Sequence, residues 1–334
     1  MSVYFITGVA GFLGCNLAES LLKDGHIVKG CDNLSGGDIE NVPKGCDFSI
    51  ADCTDFNKMK SLLKGVDIVI NCAALAHEGL SVFSPSTISM SNFQAATTVF
   101  SAAISCEVKK IVHCSSMARY GQQAVPFKEP MSTMPVDPYG VAKVASERML
   151  STLAETHNIE YSIAVPHNII GKKQKYDDPF RNVASIMANL VLQGRQVFIY
   201  GDGEQRRCFS HVEDCIKTLK DICISDKANG QIFNIGPDSS FITINELAKF
   251  IYKECNFEFN PNYLEERPRE VKLATCSSDK AREILGYKEL KSWQDGVRDI
   301  INHIRKNGTK PFQYHIDLEI NNDQTPSSWR NRLF

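Results

Sequence analysis

This sequence has almost no excess of charge. Its 334 residues carry 37 Lys and Arg against 39 Asp and Glu, a formal net charge of −2. That balance argues against nucleic acid or an anionic membrane as a partner, because both recruit strongly basic surfaces. No apolar run approaches ~18 residues, which excludes a helical membrane span. No charged leader precedes the first apolar run, so a cytoplasmic protein is expected. Internal repeats and low-complexity linkers are also missing. Cysteine is plentiful, at twelve residues, yet no two form a C-x-x-C pair and most lie inside apolar patterns. They read as reduced, buried thiols, with neither a disulfide framework nor a metal site expected. What remains is ordinary globular composition, 43% hydrophobic and 23% charged. The length suits two domains or one large α/β domain.

The most informative segment is Gly8-Val9-Ala10-Gly11-Phe12-Leu13-Gly14, directly behind the apolar run Val3-Tyr4-Phe5-Ile6-Thr7. The run predicts a buried strand, the glycines a tight turn, and Phe12 onward a helix ending near Gly25. Such a junction offers free backbone N–H groups, at the positive end of a helix dipole, to a phosphate. A second apolar run, His26 to Cys31, ends in Asp32, 18 residues after Gly14. A carboxylate at about that spacing accepts the ribose hydroxyls of a dinucleotide and repels a 2′-phosphate, which favours NAD. The plainer reading of Asp32 is a turn former before Asn33 and Gly36-Gly37.

Strand and helix patterns alternate up to about residue 166. Strands are expected at Asp47-Phe48-Ser49-Ile50, Val66 to Asn71, Lys110 to Cys114 and Tyr161 to Val165. Helices are expected at Asp55 to Leu63, Ile88 to Cys106 and Pro138 to His157. This alternation specifies a parallel sheet with helices on both faces. Beyond Pro166 the pattern loosens, though Thr243-Ile244-Asn245-Glu246 is a capping box and a short helix starts at Ser277-Ser278-Asp279 and stops at Gly286. From about Pro311 to Phe334 the chain is polar with scattered aromatics, suited to wrapping its own body or a neighbour.

Two further segments carry chemistry. In Tyr139-Gly140-Val141-Ala142-Lys143, the tyrosine and lysine fall at i and i+4 on one helix face. A lysine beside a phenol lowers its pKa from ~10 toward neutrality, a positively charged nicotinamide would push the same way, and the phenol becomes a general base. Cys114-Ser115-Ser116-Met117-Ala118-Arg119-Tyr120-Gly121 follows a strand, and in open α/β sheets ligands bind at the carboxyl ends of strands. Ser116 there can hydrogen-bond a substrate hydroxyl. Alone, these segments also read as a surface pair and a serine-rich turn.

Taken in order along the chain, the glycine turn, Asp32, the Ser116 segment and the Tyr139/Lys143 pair resemble the extended short-chain dehydrogenases/reductases. Among them, the chain is similar to the NAD-dependent nucleotide-sugar epimerase/dehydratase family, from about residue 2 to 300. The resemblance implies an α/β fold with a Rossmann-type doubly wound parallel sheet and a smaller mixed α/β C-terminal lobe. The NAD-binding domain would be 1–166, with a return segment at about 207–236; the nucleotide-sugar lobe would be 167–310, and the tail 311–334 has no assigned role.

The same resemblance assigns Gly8, Gly11, Phe12, Leu13, Gly14, Asp32, Asn33, Asp52, Cys53, Ala73, Ala74, Tyr139 and Lys143 to NAD. It assigns Ser116, Tyr139 and Lys143 to catalysis. Asn168, Asn182, Val183, Val197, Phe198, Tyr200, Arg207, Arg267 and Ala274, with Ser116, would bind the substrate. The two arginines suit a diphosphate, whose oxygens a guanidinium binds in bidentate fashion, although each also reads as a solubilising surface charge. His77, Glu78 and His167 are further candidates for substrate contact.

Departures narrow the chemistry. Dehydratases of this family carry adjacent Asp and Glu after the serine, and this chain has Met117 and Ala118, which move no proton. The asparagine usual in the helix after Pro85 reads as Gln94. Ala274 leaves room beside the sugar C2 for an N-acetyl group. The expected activity is therefore 4-epimerisation of a nucleotide sugar, a UDP-hexose or UDP-N-acetylhexosamine, through a transient 4-keto sugar. The alternatives are a 4-ketoreductase or dehydrogenase with net redox and, from another class, a non-catalytic nucleotide sensor. A homodimer paired through helices near residues 92–106 and 139–156 is implied by the resemblance alone.

Overall fold

The structure is a computed structural model and describes all 334 residues. Its centre is a sheet of seven parallel strands: β1 (Val3–Thr7), β2 (Ile27–Asp32), β3 (Asp47–Ile50), β4 (Ile68–Asn71), β5 (Lys110–Cys114), β6 (Glu160–Pro166) and β7 (Gln231–Ile235). The spatial order is β7-β6-β5-β4-β1-β2-β3. Direction of winding reverses between β1 and β4, which opens a crevice at the carboxyl ends of the strands.

Both faces of the sheet are covered, and the sequence of β1 shows why its apolar run is continuous. Tyr4 and Ile6 enter one core with Leu17, Val28 and Leu219. Phe5 enters the other with Met59, Val99, Phe100 and Ile111. Helices Phe12–Lys23 and Val212–Ile224 cover the first face; Phe56–Leu62 and Ala95–Ser105 cover the second. The chain returns to the sheet after its excursion into the C-terminal lobe, because β7 pairs with β6 from Gln231↔Ser162 to Ile235↔Pro166.

Element boundaries depart from the sequence pattern in two instructive places. The strand expected from Val66 begins at Ile68, since the Asp67 side chain accepts the backbone N–H of Val3 at 2.8 Å. The helix expected from Ile88 begins at Pro85, where a missing N–H costs nothing, and is interrupted by a π turn at Met90–Gln94.

The C-terminal lobe has its own core, where Met187, Leu247, Ile251, Val297 and Ile301 meet from helices Val183–Leu192, Ile244–Cys255 and Trp293–Asn307. The Thr243–Glu246 capping box forms, with bonds of 3.0 and 2.7 Å in the two directions.

Residues 311–334 wrap the body of their own chain. Gln313 N–H donates to the Asp177 carbonyl at 2.8 Å, and the Ser84 hydroxyl donates to the Asp317 carbonyl at 2.8 Å. The Glu319 carboxylate accepts the N–H groups of Ser86 and Thr87 at 2.8 and 2.7 Å, capping the helix that begins at Pro85. Trp329 is 2% exposed and packs edge-on against Phe180 and Phe83, with ring centroids 5.5 and 6.1 Å apart. This strap closes one side of the crevice.

Candidate active site

The crevice continues into a single cavity of about 510 Å³ between the sheet and the C-terminal lobe. That size lies within the ~300–1,000 Å³ typical of small-molecule sites. Every residue expected to bind cofactor or substrate lines it except Val197, which is fully buried in the lobe core. Phe198, Ile199 and Tyr200 line the cavity, and Val197 precedes their strand.

The glycine turn requires its glycines. Gly8 has φ +69°, and a Cβ there would lie 2.9 Å from the backbone of Ala73. A Cβ on Gly14 would lie 2.2 Å from the Gly8 carbonyl oxygen. Gly11 caps the helix in extended conformation without a side-chain cap, leaving the first-turn N–H groups of Phe12, Leu13 and Gly14 facing the cavity. This is a phosphate cradle that the residues present fit.

Asp32 ends β2 and is 7% exposed. Its two oxygens accept the N–H groups of Ala10 (3.1 Å) and Leu34 (2.8 Å). Burial raises its pKa, against these bonds. The Asn33 side-chain amide donates to the Asp52 carboxylate at 3.0 Å at the same end of the cavity. Ala73 is held under the turn by its N–H bond to the Thr7 hydroxyl at 3.1 Å.

Ser116, Tyr139 and Lys143 come together from β5 and the helix Pro138–His157. Asp137 caps that helix by accepting the Gly140 N–H at 2.8 Å. The Lys143 ammonium lies 5.8 Å from the Tyr139 ring centroid and donates to the Cys114 carbonyl at 2.9 Å. Burial lowers the Lys143 pKa to about 8. Lysine and a bound nicotinamide are together expected to bring the phenol toward neutrality, and the protein's own groups do not do so without the cofactor. Burial raises the Tyr139 pKa well above its ordinary value, while Arg181 and a hydrogen bond with Ser116 pull it down. Met117 and Ala118 are 9% and 6% exposed and offer no acid or base beside Ser116.

At the substrate end, Glu270 gathers both arginines. Arg207 donates to one oxygen at 3.1 Å, and Arg267 donates to the other at 2.9 and 2.7 Å. The Arg267 guanidinium also stacks 4.6 Å from the Tyr200 ring centroid. Two cations on one anion leave a net positive charge facing the cavity. Ala274 pairs with Arg207 in a two-residue strand and is 8% exposed. Asn182 caps helix Val183–Leu192 by accepting the Ala184 N–H at 3.2 Å, and Asn168 donates to the Cys208 carbonyl at 2.9 Å.

The three further candidates separate. Glu78 projects into the cavity, and burial raises its pKa to about 7. His167 is held by the Pro237 carbonyl at 3.1 Å and the Cys276 sulfur at 2.9 Å. His77 bonds Asp178 at 2.8 Å. The sequence pattern missed Glu270 and Arg181, and it left open whether the tail wraps its own body or a neighbour. Gln94 is exposed, whereas Asn92 is buried in the π turn and donates to the Leu75 carbonyl at 3.0 Å. For Glu270 the signal was its i+3 spacing from Arg267.

Residues 4–236 match the model of the NAD dependent epimerase/dehydratase family. The UDP-glucose 4-epimerase of Mycolicibacterium smegmatis is 29% identical over 310 residues, covering 90% of this chain and 97% of that protein. The crystal structure of Thermotoga maritima UDP-glucose 4-epimerase with UDP-glucose superposes with a TM-score of 0.86 at 27% identity, covering 91% of this chain and 99% of that one. That of the Thermus thermophilus enzyme with NAD gives 0.85 at 26% identity, covering 91% and 99%. Over a similar span the relatives also include a UDP-N-acetyl-alpha-D-glucosaminuronate decarboxylase of Bacillus cytotoxicus at 29% identity and a dTDP-glucose 4,6-dehydratase of Streptomyces niveus at 25%. With its glycine cradle, its seven-stranded sheet and this match over most of its length, the chain belongs to the NAD-dependent epimerase/dehydratase family.

Proposed function

We propose that this protein is a 4-epimerase of UDP-linked hexoses or N-acetylhexosamines. The observation that carries the reading is the company Tyr139 keeps. Ser116, Lys143 and the phosphate cradle share its cavity, while apolar Met117 and Ala118 stand where dehydration needs an acid and a base.

NAD, held by the N–H groups of Phe12 to Gly14 and by Asp32, supplies the acceptor and donor of the C4 hydride and a positive charge that favours the phenolate. Tyr139 takes the proton of the sugar 4-hydroxyl and returns it at the end of the cycle. Ser116 shares that hydrogen bond and orients the hydroxyl. Lys143 adds positive charge beside the phenol. Arg207 and Arg267 hold the diphosphate, with Glu270 fixing the spacing of their guanidinium groups. Phe198 and Tyr200 flank the base. The sugar is the end left free to turn about the diphosphate, which presents either face of C4. The reading includes a cytoplasmic homodimer paired through the helices at 92–106 and 139–156, where Val141 is 53% exposed.

The test is incubation with UDP-glucose and, separately, with UDP-N-acetylglucosamine, with products followed by NMR. Interconversion of 4-epimers without net NADH is expected. Accumulated NADH or a 4-keto-6-deoxy sugar overturns the reading. Turnover of UDP-glucose alone removes the N-acetylhexosamine, and with it the role given to Ala274.

A further inference from the structure

Beside the cavity, three segments remote in sequence bring polar side chains to one point. His77 follows β4, Asp178 precedes helix Val183–Leu192, and His315 lies in the strap. One ligand atom from each lies within 4.8 Å of the others. His77 and Asp178 are 3% exposed each, and the His315 side chain is 17% exposed.

The hydrogen bonds around these groups leave an unusual gap. The Asp178 Oδ1 accepts the Phe180 N–H at 2.9 Å, and its Oδ2 accepts from His77 Nε2 at 2.8 Å. His315 Nδ1 lies 3.2 Å from the Gln313 carbonyl, which accepts only, so that nitrogen carries the proton. His315 Nε2 is then a bare lone pair. It is buried without a partner and faces Asp178 Oδ2 at 3.7 Å. Two acceptors pointed at one another with nothing between them repel, unless a cation lies there. His77 Nδ1 is also buried without a partner, and with the ring proton on Nε2 facing Asp178 it is a second bare lone pair; a cation at Asp178 would displace that proton.

We propose that His77, Asp178 and His315 bind a divalent transition-metal ion of the zinc class. Two imidazoles and one carboxylate are a donor set that such ions favour. With metal–ligand bonds of about 2.1 Å, two ligands of a tetrahedron stand about 3.4 Å apart, close to the gap between His315 and Asp178. The Gln313 carbonyl and the Phe180 N–H are outer contacts that orient His315 and Asp178, as metal ligands require. Arg181, on the same loop, opposes a cation here; its side chain is exposed, so solvent screens that repulsion. The ion fastens the strap to the two loops that line the substrate end. It takes no part in hydride or proton transfer.

The test uses the full chain, freed of any affinity tag and loaded with zinc, then desalted. Elemental analysis is expected to find about one ion per chain in the parent and about a tenth of that in His315→Gln. Cobalt in place of zinc should give the visible absorption of a low-coordinate nitrogen–oxygen site. Zinc should raise the unfolding temperature of the parent and leave that of His315→Gln unchanged. His77→Gln, read by the same cobalt spectrum, serves if His315→Gln folds poorly. No retained ion overturns the proposal; equal retention in parent and variants overturns it by placing the ion elsewhere. None of the three readouts depends on which sugar the enzyme turns over.

Discussion

The two walls of the cavity are built on different plans. The cofactor wall is mostly backbone: a seven-residue turn, one helix N-terminus and the ends of neighbouring strands. The opposite wall is mostly side chains, drawn from the loop after β4, the loop before Val183 and the segment around Arg267, with Phe334 from the end of the strap. The first wall must meet a constant chemical group, a pyrophosphate, which bare N–H groups at a helix end suit. The second must fit a variable one, and side chains are the parts that can vary without disturbing the sheet. That contrast accounts for relatives with one cofactor and several sugar chemistries.

The contrast can be broken by substitutions on each wall. Tyr139→Phe, where the walls meet, should lower kcat by about 10²–10⁴, the usual worth of a general base, while the protein retains its NAD. Near-parent turnover would end the assignment of Tyr139. Trp329→Ala should cost about 3–5 kcal/mol of stability, seen in denaturant unfolding, and should weaken UDP binding while NAD stays bound. Equal loss of both ligands would show that the walls are not independent. Gly14→Ala should cost about 1–3 kcal/mol and release NAD, because the new methyl group meets the Gly8 carbonyl. Calorimetric titration with UDP should still show binding in that variant. The smallest effect belongs to Glu78→Gln. Desolvation within the cavity raises the Glu78 pKa to about 7, and Arg207 and Arg267 are near, so its ionisation removes attraction for a diphosphate. Affinity for a UDP-sugar, whose diphosphate does not titrate in this range, should fall up to about fivefold from pH 6 to pH 8 in the parent, the scale of a screened charge pair, and stay flat in the variant. A flat parent profile would detach Glu78 from the diphosphate end.

The cofactor wall was legible in the sequence because its signals are local. Glycine spacing, an apolar run and Asp32 all fall within 32 residues of the start, and each is required by backbone geometry at that place. The substrate wall was legible only as separate segments. Glu319 reaches Thr87 across 232 residues, and no periodicity encodes a contact of that separation. Val197 sits in the lobe core although the residues after it line the cavity, and a matching segment does not say which of its side chains faces outward. Asn92 takes its buried place through a π turn, which no residue pattern marks. For Tyr139, spacing shows a neighbouring charge but not the depth of burial.

The strap also sets an order of events in biosynthesis. Residues 311–334 leave the ribosome after every segment they bind, and β7 at 231–235 completes the sheet well before them. At about 5–20 residues per second, the stretch from Ile235 to Ile316 takes several seconds to make. During that interval a nascent chain holds a finished dinucleotide cradle beside an unfinished sugar pocket. The cradle is therefore complete while the far side of the lobe is still open, and closure of the strap is the last step of assembly.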